Sequence, residues 1–452
     1  MAEQRDTLAA PKELEAVGTG GHAAQRSLNP WQQRMRLKTT LAAMLLDAIP
    51  GIYVGSSPWV DFLNAEVPPG TSQWLAPGVT VPGVFIMTSL CIYFPLLAYL
   101  LRRKLIAVRA LGFLAVLATA LPLSIGLTAG TGALWVQYVG AAVGGAGLVA
   151  AQFIEKIVAI QWWALTGEAS KGAAQMGGSV GLWSLAFTLL SAWLCHGIGL
   201  ELGMYVLACI IFVATLYPLW LALAGELQAP ALPAALTKEA QQASDGEGFS
   251  MGNVLGSLSF WQLFFHFTAF FYFGFGMKAL LTPIFQVSYD LSYLKSASFA
   301  AIVLAFYAAV RSGLPLLTQH LSLLPIHVGL LAFSAVLYAC FPGIVANLPV
   351  ECLVVASTLT GGSFAGLSTL RNLLALEMYG AADLANILPL LEVGVGLGKL
   401  IGPVLGYYIY LSASDDGVGG HSSYNMFFYS CAVVAAADAL NMLVLHMRTR
   451  RQ

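Results

Sequence analysis

Four basic residues fall inside long apolar runs of this sequence: Lys278, Arg311, Arg371 and Lys399. A charge at the centre of a bilayer costs about 2.5–3.5 kcal/mol on insertion scales, so it usually faces a cavity or a partner. At a rise of ~1.5 Å per residue, Arg311 lies roughly 9 Å from the nearer end of its run and Lys399 roughly 23 Å into its own. The two bracket the middle of a membrane from different helices. A guanidinium there can give a carboxylate two charge-assisted hydrogen bonds, so the pattern points to recognition of a small anion. Lys278 sits in the outer third of its run and joins the candidates. Arg371 lies near the end of its run, where its long stem is expected to snorkel to the interface.

Acidic partners are few. Asp47 and Glu392 lie within apolar runs and are the carboxyl groups best placed to take a coupling proton. Glu392 and Lys399 are seven positions apart, so they share one helix face with Cα atoms about 10.5 Å apart. They could hold water or solute between them, offset each other's charge, or pair with other helices. Glu377, Asp383 and Asp438 lie nearer the ends of runs and are expected among headgroups. Of the seven histidines only His266 is well inside a run, and a single histidine there reads as a hydrogen-bonded packing residue. No histidine pair has metal-ligand spacing, and neither a Walker A sequence, a GxSxG elbow nor a GxGxxG turn occurs. No cofactor, metal or enzymatic activity is expected. The six cysteines fall in or beside apolar runs without regular spacing and read as small core residues.

The elements that hold these residues follow from composition. The chain has 452 residues, 58% hydrophobic and 10% charged, with a mean hydropathy of +0.76. Soluble domains carry about 25% charged residues, so a water-facing surface is excluded. A net charge of -1 argues against a nucleic-acid partner. A spanning helix needs about 20 apolar residues. Such runs lie near 39–62, 76–101, 107–128, 133–155, 171–195, 203–225, 259–286, 294–317, 325–343, 350–376, 384–411 and 424–447. This predicts an all-α membrane protein of about twelve helices. It divides into a disordered tail (1–38), a six-helix half (39–225), a flexible linker (226–258), a second six-helix half (259–447) and a short tail (448–452). No short apolar run follows an initial basic cluster, so no cleavable leader is expected. With both termini in the cytoplasm, sixteen of the 21 basic residues fall in cytoplasmic segments, Lys156 among them, and only Lys295 lies outside.

The halves echo each other. Trp162-Trp163 through Gly167 followed by a glycine-rich helix recurs as Met378-Tyr379-Gly380 followed by another, as in carriers built from parallel repeats with the solute site between them. Gly394, Gly398, Gly402 and Gly406 recur every four residues and line one stripe, expected to let a neighbouring helix approach closely and to give a smooth seam for rocking.

Over about residues 39–447 the chain resembles the major facilitator superfamily. Arg102-Arg103-Lys104, with Arg109 beyond, stands where that superfamily carries a basic gating motif, although the usual Gly and Asp are missing. Tyr138-Val-Gly140, Gly144-Gly145-Ala-Gly147, Trp162-Trp163 and Lys171-Gly172-Ala-Ala with Gly177-Gly178 resemble the oxalate:formate antiporter and monocarboxylate transporter branch, as does Gly394 through Gly406 around Lys399 and Pro403. Ala305 through Gly313 matches the neighbourhood of that branch's membrane-embedded arginine, at Arg311; Tyr307 stands where monocarboxylate transporters have an aspartate. Their first-helix lysine is absent from Tyr53 through Ser57.

The resemblance implies a monomeric secondary transporter working by alternating access, moving a monocarboxylate or small dicarboxylate by proton symport or anion exchange. Arg311, Lys399, Lys278 and Tyr307 are then the expected solute site, Asp47 and Glu392 the coupling acids, and Arg102, Arg103 and the glycine stripe the gating elements. An amino-acid carrier would present the same carboxylate to the cations and its ammonium to Asp47 or Glu392. An assembly factor or sensor that keeps the fold without transporting would not require Arg311 and Lys399.

Overall fold

The computed structural model describes residues 28–54, 77–129, 131, 133–166, 168–230, 251–318, 321–415 and 424–449. Most of the expected tail and the middle of the expected linker, 231–250, lie outside the described residues, as do Gly55, Ser56 and Ser57.

Among the described residues, eleven helices are long and apolar enough to cross a membrane. A further helix precedes them. We number twelve: α1 (Pro30–Leu46, continued by Ala48–Val54), α2 (Val81–Arg102), α3 (Ala110–Thr128), α4 (Leu134–Trp163), α5 (Ala169–Ile198), α6 (Leu200–Leu223), α7 (Leu258–Tyr289), α8 (Tyr293–Leu317), α9 (Leu323–Asn347), α10 (Val350–Tyr379), α11 (Ile387–Ile409) and α12 (Asn425–Thr449). The chain is an integral, multi-pass, all-α membrane protein.

Local signals place the helix ends. α1 starts at Pro30, well before the apolar run, because Asn29 and Gln32 form a reciprocal capping box with proline in the first turn. Residues 30–38, read from sequence as part of a disordered tail, are therefore helical. Ser257 caps α7 through the Phe260 amide. Gly199, at φ 87°, makes the tight turn between α5 and α6 that a side chain would strain. In the α4–α5 connection, Lys171 and Arg36 both bind Glu168, at 2.6 and 3.0 Å. The Lys171 ammonium, with help from Thr166, holds that carboxyl below its ordinary range against partial burial.

Two helices contain π-helical turns, Met87–Tyr93 in α2 and Ile154–Ala159 in α4. Such turns fit an extra residue into an α-helix and often mark functional sites. Helical turns continue from Val350 to Asp415, through the connection between α10 and α11. In a straight helix Arg371 and Glu392 would be ~32 Å apart, yet they touch at 2.8 Å. The chain must reverse between them, which makes α10 and α11 antiparallel neighbours.

The halves meet along two seams. α5 packs on α8, where an added Cβ at Gly181 would fall 2.5 Å from Ala308 and one at Gly178 would meet Ser312. α2 packs on α11, with Gly396 against Leu90 and Cys91 and Gly83 against Leu400. The four-residue stripe has another neighbour. Gly394, Gly398 and Gly402 face the backbone of α7 at Phe264, Thr268 and Tyr272, and Gly406 faces Leu280 and Phe427. The close approach expected of the stripe is therefore to α7, within the second half, while the contacts between halves are lined by Gly177, Gly178, Gly181 and Gly396.

Candidate functional site

The α4 π turn carries Glu155 and Lys156. Both lie inside the bilayer-length helix because the apolar sequence resumes at Ile157 and continues to Trp163. Lys156 reaches across to α11: its Nζ is 2.9 Å from Glu392 Oε1 and 3.1 Å from Gln152 Oε1. Arg371 of α10 places Nη2 2.8 Å from the same Glu392 oxygen. One carboxylate thus clasps a cation from each half, and the three side chains are 8%, 0% and 5% exposed for Lys156, Glu392 and Arg371. Ionised groups so deeply buried persist only when paired.

Around the clasp lie four more ionisable groups. Arg311 is half-buried on α8 and donates from Nη1 to the Tyr307 hydroxyl at 2.6 Å. Lys399 of α11 sits over the rings of Phe271 and Phe275, 5.1 and 5.5 Å from their centroids. Asp47, 1% exposed on α1, has Glu155 and Arg311 within electrostatic reach. Glu155 in turn senses Lys156, Arg311, Arg371 and Glu392, and Lys399 senses Lys156, Arg371, Glu392 and Arg311. The network therefore holds four cations, Lys156, Arg311, Arg371 and Lys399, against three acids, Asp47, Glu155 and Glu392. Several of its polar atoms have no hydrogen-bond partner among the described residues: Nε and Nη1 of Arg371, Nε of Arg311, Oε2 of Glu392 and Oδ2 of Asp47. Unsatisfied buried donors on guanidinium groups suit an incoming anion.

The structure revises several expectations. Arg371 does not snorkel; Glu392 and the faces of Phe271 and Phe267, 4.9 and 5.9 Å away, hold it inside. Lys156 belongs to the buried network and not to a cytoplasmic segment. Of the alternatives open for Glu392, pairing with other helices is the one seen, and Lys399 acts on it only through space. Asp438 is fully buried, with Oδ2 2.7 Å from His266 Nδ1, and the His266 ring lies 5.2 Å from that of His327. The histidine read as solitary is the centre of a cluster from α7, α9 and α12. Arg102 and Arg103 are exposed, with the Arg103 guanidinium 5.6 Å from the Tyr99 ring centroid. Lys278 and Tyr307 line a separate cavity inside the second half, with Tyr338, Ser357, Thr360 and Phe364 among its walls.

Glu155 and Lys156 were missed because the charged pair looked like the end of a run. The signal was present in Ile157-Val158-Ala159-Ile160, which extends the span past it.

No family signature matches the chain, and no curated protein matches it in sequence. Solved structures do match in shape. The POT-family transporter PepTSo superposes with a TM-score of 0.69 at 13% identity, covering 93% of this chain and 99% of its own. An auto-inhibited POT-family peptide transporter gives 0.66 at 13% identity, covering 91% and 97%. The human organic anion transporter TETRAN gives 0.58 at 13% identity, covering 92% and 100%. At that identity the likeness establishes architecture: the chain has the major facilitator fold, two pseudo-symmetric halves of six helices each.

Proposed function

We propose that this protein is a secondary transporter that moves a small anionic solute, a monocarboxylate or small dicarboxylate, by alternating access. The observation that carries the reading is the buried network at the junction of the halves, where four cations face three acids. With all ionised it retains a positive charge, and a low-dielectric interior favours an anion that neutralises it. Arg311 and Lys399 would take the solute's negative end, with Tyr307 holding the Arg311 guanidinium in position. Asp47, beside Glu155, is the seat proposed for a coupling proton, since one proton between two neighbouring carboxylates relieves their repulsion. Glu392 would act as the clasp between halves, strained or relaxed by solute charge beside it. Solved structures of the same fold include a peptide and an organic anion transporter by their own descriptions, which supports a carrier role.

A second reading, an amino-acid carrier, draws on one feature: Asp47 Oδ2 is buried with no hydrogen-bond partner among the described residues and could receive an ammonium group.

Uptake of labelled monocarboxylates, dicarboxylates and amino acids into proteoliposomes under a proton gradient separates these. The proposal expects carboxylate accumulation, reduced about 10–100-fold by Arg311→Lys, because the planar two-pronged donor is lost while the charge stays. Lys399→Gln should weaken uptake without changing expression. Undiminished uptake by an Arg311→Ala, Lys399→Ala double variant overturns the site, and amino-acid accumulation alone favours the second reading.

The same proposal puts both termini in the cytoplasm. Single cysteines at Ser244→Cys and Ser422→Cys should be labelled from opposite sides of sealed vesicles; labelling of both from one side contradicts that orientation.

A further inference from the structure

The connection between α2 and α3 gathers four cations, Arg102, Arg103, Lys104 and Arg109, and all four are exposed. No aspartate or glutamate occurs between Glu66 and Glu155, so neither flanking helix brings a charge to meet them. Gly112, at the start of α3, packs against Ala222 and Leu227, which puts the connection at the end of the bundle where Glu226 lies. At that end Lys38 binds Glu226, and Arg36 and Lys171 bind Glu168. The four cations of the connection make no ion pair among the described residues. Topology explains why basic residues collect at one end of a membrane protein. It does not explain why these four stand apart from any carboxylate.

Helix phase shows which way they face. On α2, Leu96 and Tyr99 are exposed, and Arg103 continues their stripe at helical spacing. Its guanidinium lies 5.6 Å from the Tyr99 ring centroid, which keeps it on that side. On α3, Phe113 and Leu117 are exposed, and Arg109 stands one turn before Phe113 on the same face. Large apolar side chains exposed along a spanning helix meet lipid, and a tyrosine near the end of a span marks the headgroup level. Each stripe therefore ends in an arginine at the depth of the phosphates. Between the two the chain turns at Lys104, φ 55°, with the Leu105 amide bonded to the Leu100 carbonyl. Glycine is the usual residue at such a helix end. Here a lysine takes the place, followed by Leu105, which is 66% exposed.

We propose that the α2–α3 connection is a docking surface for the headgroups of anionic phospholipids in the leaflet it borders. Guanidinium groups give phosphate paired, charge-assisted hydrogen bonds, and a cluster of roughly four to eight cations beside a spanning helix is drawn to a negatively charged leaflet. A soluble anion would meet the same charges, but the apolar stripes and Leu105 beside them match a molecule that carries acyl chains. α2 also packs on α11 across the junction of the halves, so a headgroup held at its end steadies one side of that seam. The inference stands on the membrane-spanning fold and does not require the transport reading.

The test uses the purified full-length protein, stripped of native lipid in a neutral detergent and titrated with phosphatidylglycerol or, in parallel, phosphatidylcholine. Bound lipid is counted by native mass spectrometry. Phosphatidylglycerol should bind about tenfold or more tightly than phosphatidylcholine, and high salt should shrink the difference by screening. Arg103→Gln and Arg109→Gln should each weaken phosphatidylglycerol binding about threefold to fivefold. A variant with glutamine at all four positions should lose the preference, and Lys171→Gln, which removes a cation already matched by Glu168, should keep it. Should the fourfold variant fail to fold, the two single variants decide. Equal binding of the two lipids by the wild-type protein would overturn the proposal. So would a preference undiminished in the fourfold or both single variants, or one lost equally in Lys171→Gln. Complete displacement of phosphatidylglycerol by inorganic phosphate at matched ionic strength would show a site for soluble anions instead.

Discussion

Replacing Glu392 by alanine is expected to destabilise the protein by about 3–5 kcal/mol, the usual consequence of removing one partner from a buried ion pair. The expectation rests on a shared oxygen: Glu392 Oε1 is 2.9 Å from Lys156 Nζ and 2.8 Å from Arg371 Nη2. Without it, two neighbouring cations are left facing each other in a water-poor interior. Lysine can shed its proton, but a guanidinium cannot, so Arg371 carries most of the penalty. Denaturation of the detergent-solubilised protein measures the loss. Adding Lys156→Met to Glu392→Ala should recover part of it, and the double-mutant cycle should return a coupling of roughly 0.5–3 kcal/mol, as for groups in direct contact. A single variant as stable as wild type would show that the clasp contributes nothing to folding.

The second large effect is expected where α7, α9 and α12 meet. Asp438→Ala should cost about 3 kcal/mol, the lower end of the range for a broken buried pair. His266 Nδ1 lies 2.7 Å from Asp438 Oδ2 with both side chains fully buried, and Asn441 adds a long contact of 3.5 Å to the other carboxylate oxygen. The loss is smaller than at Glu392 because Asp438 has one close side-chain partner, whereas Glu392 holds two cations. The same denaturation assay applies. Asp438→Asn, which keeps a hydrogen-bonding oxygen, should recover at least half of the loss. Equal destabilisation by both substitutions would mean that the negative charge, and not the hydrogen bond, holds α12 to α7.

Both sites show where sequence reading succeeds and where it stops. Apolar run length fixes how many helices cross the membrane, because hydrocarbon leaves the backbone no other way to satisfy its polar groups. The embedded cations were legible for the same reason: Arg311 and Lys399 stand out against their surroundings at any plausible helix boundary. What a linear reading lacks is the angle of a side chain around its helix and the identity of the helix opposite. Arg371 looked free to reach the interface because its depth was known and its partner was not. Asp438 looked like a headgroup contact because it stands a few turns from the end of α12, yet His266 waits across from it on α7. Glu155 and Lys156 were lost to a boundary, since two adjacent charges resemble the end of a span. The glycine stripe was visible, but which helix it served depended on packing that α11 shares with α7 and α2 together.

The wide turn at Ile154–Ala159 has a consequence for insertions and deletions. A π turn is in effect a helix with one residue too many, accommodated locally so that the turns on either side keep their alignment. A chain shorter by one residue at this point could form an ordinary α-helix with both flanks undisturbed, Gly144 and Gly147 still against α2 and α3 and Trp163 still beneath Arg36. The residues within the turn would not be so fortunate: each position is worth about 100° around the axis, enough to swing Lys156 away from Glu392. The surplus residue is therefore an aiming device, and its length, more than the chemistry of its neighbours, determines which way the charged pair of α4 points.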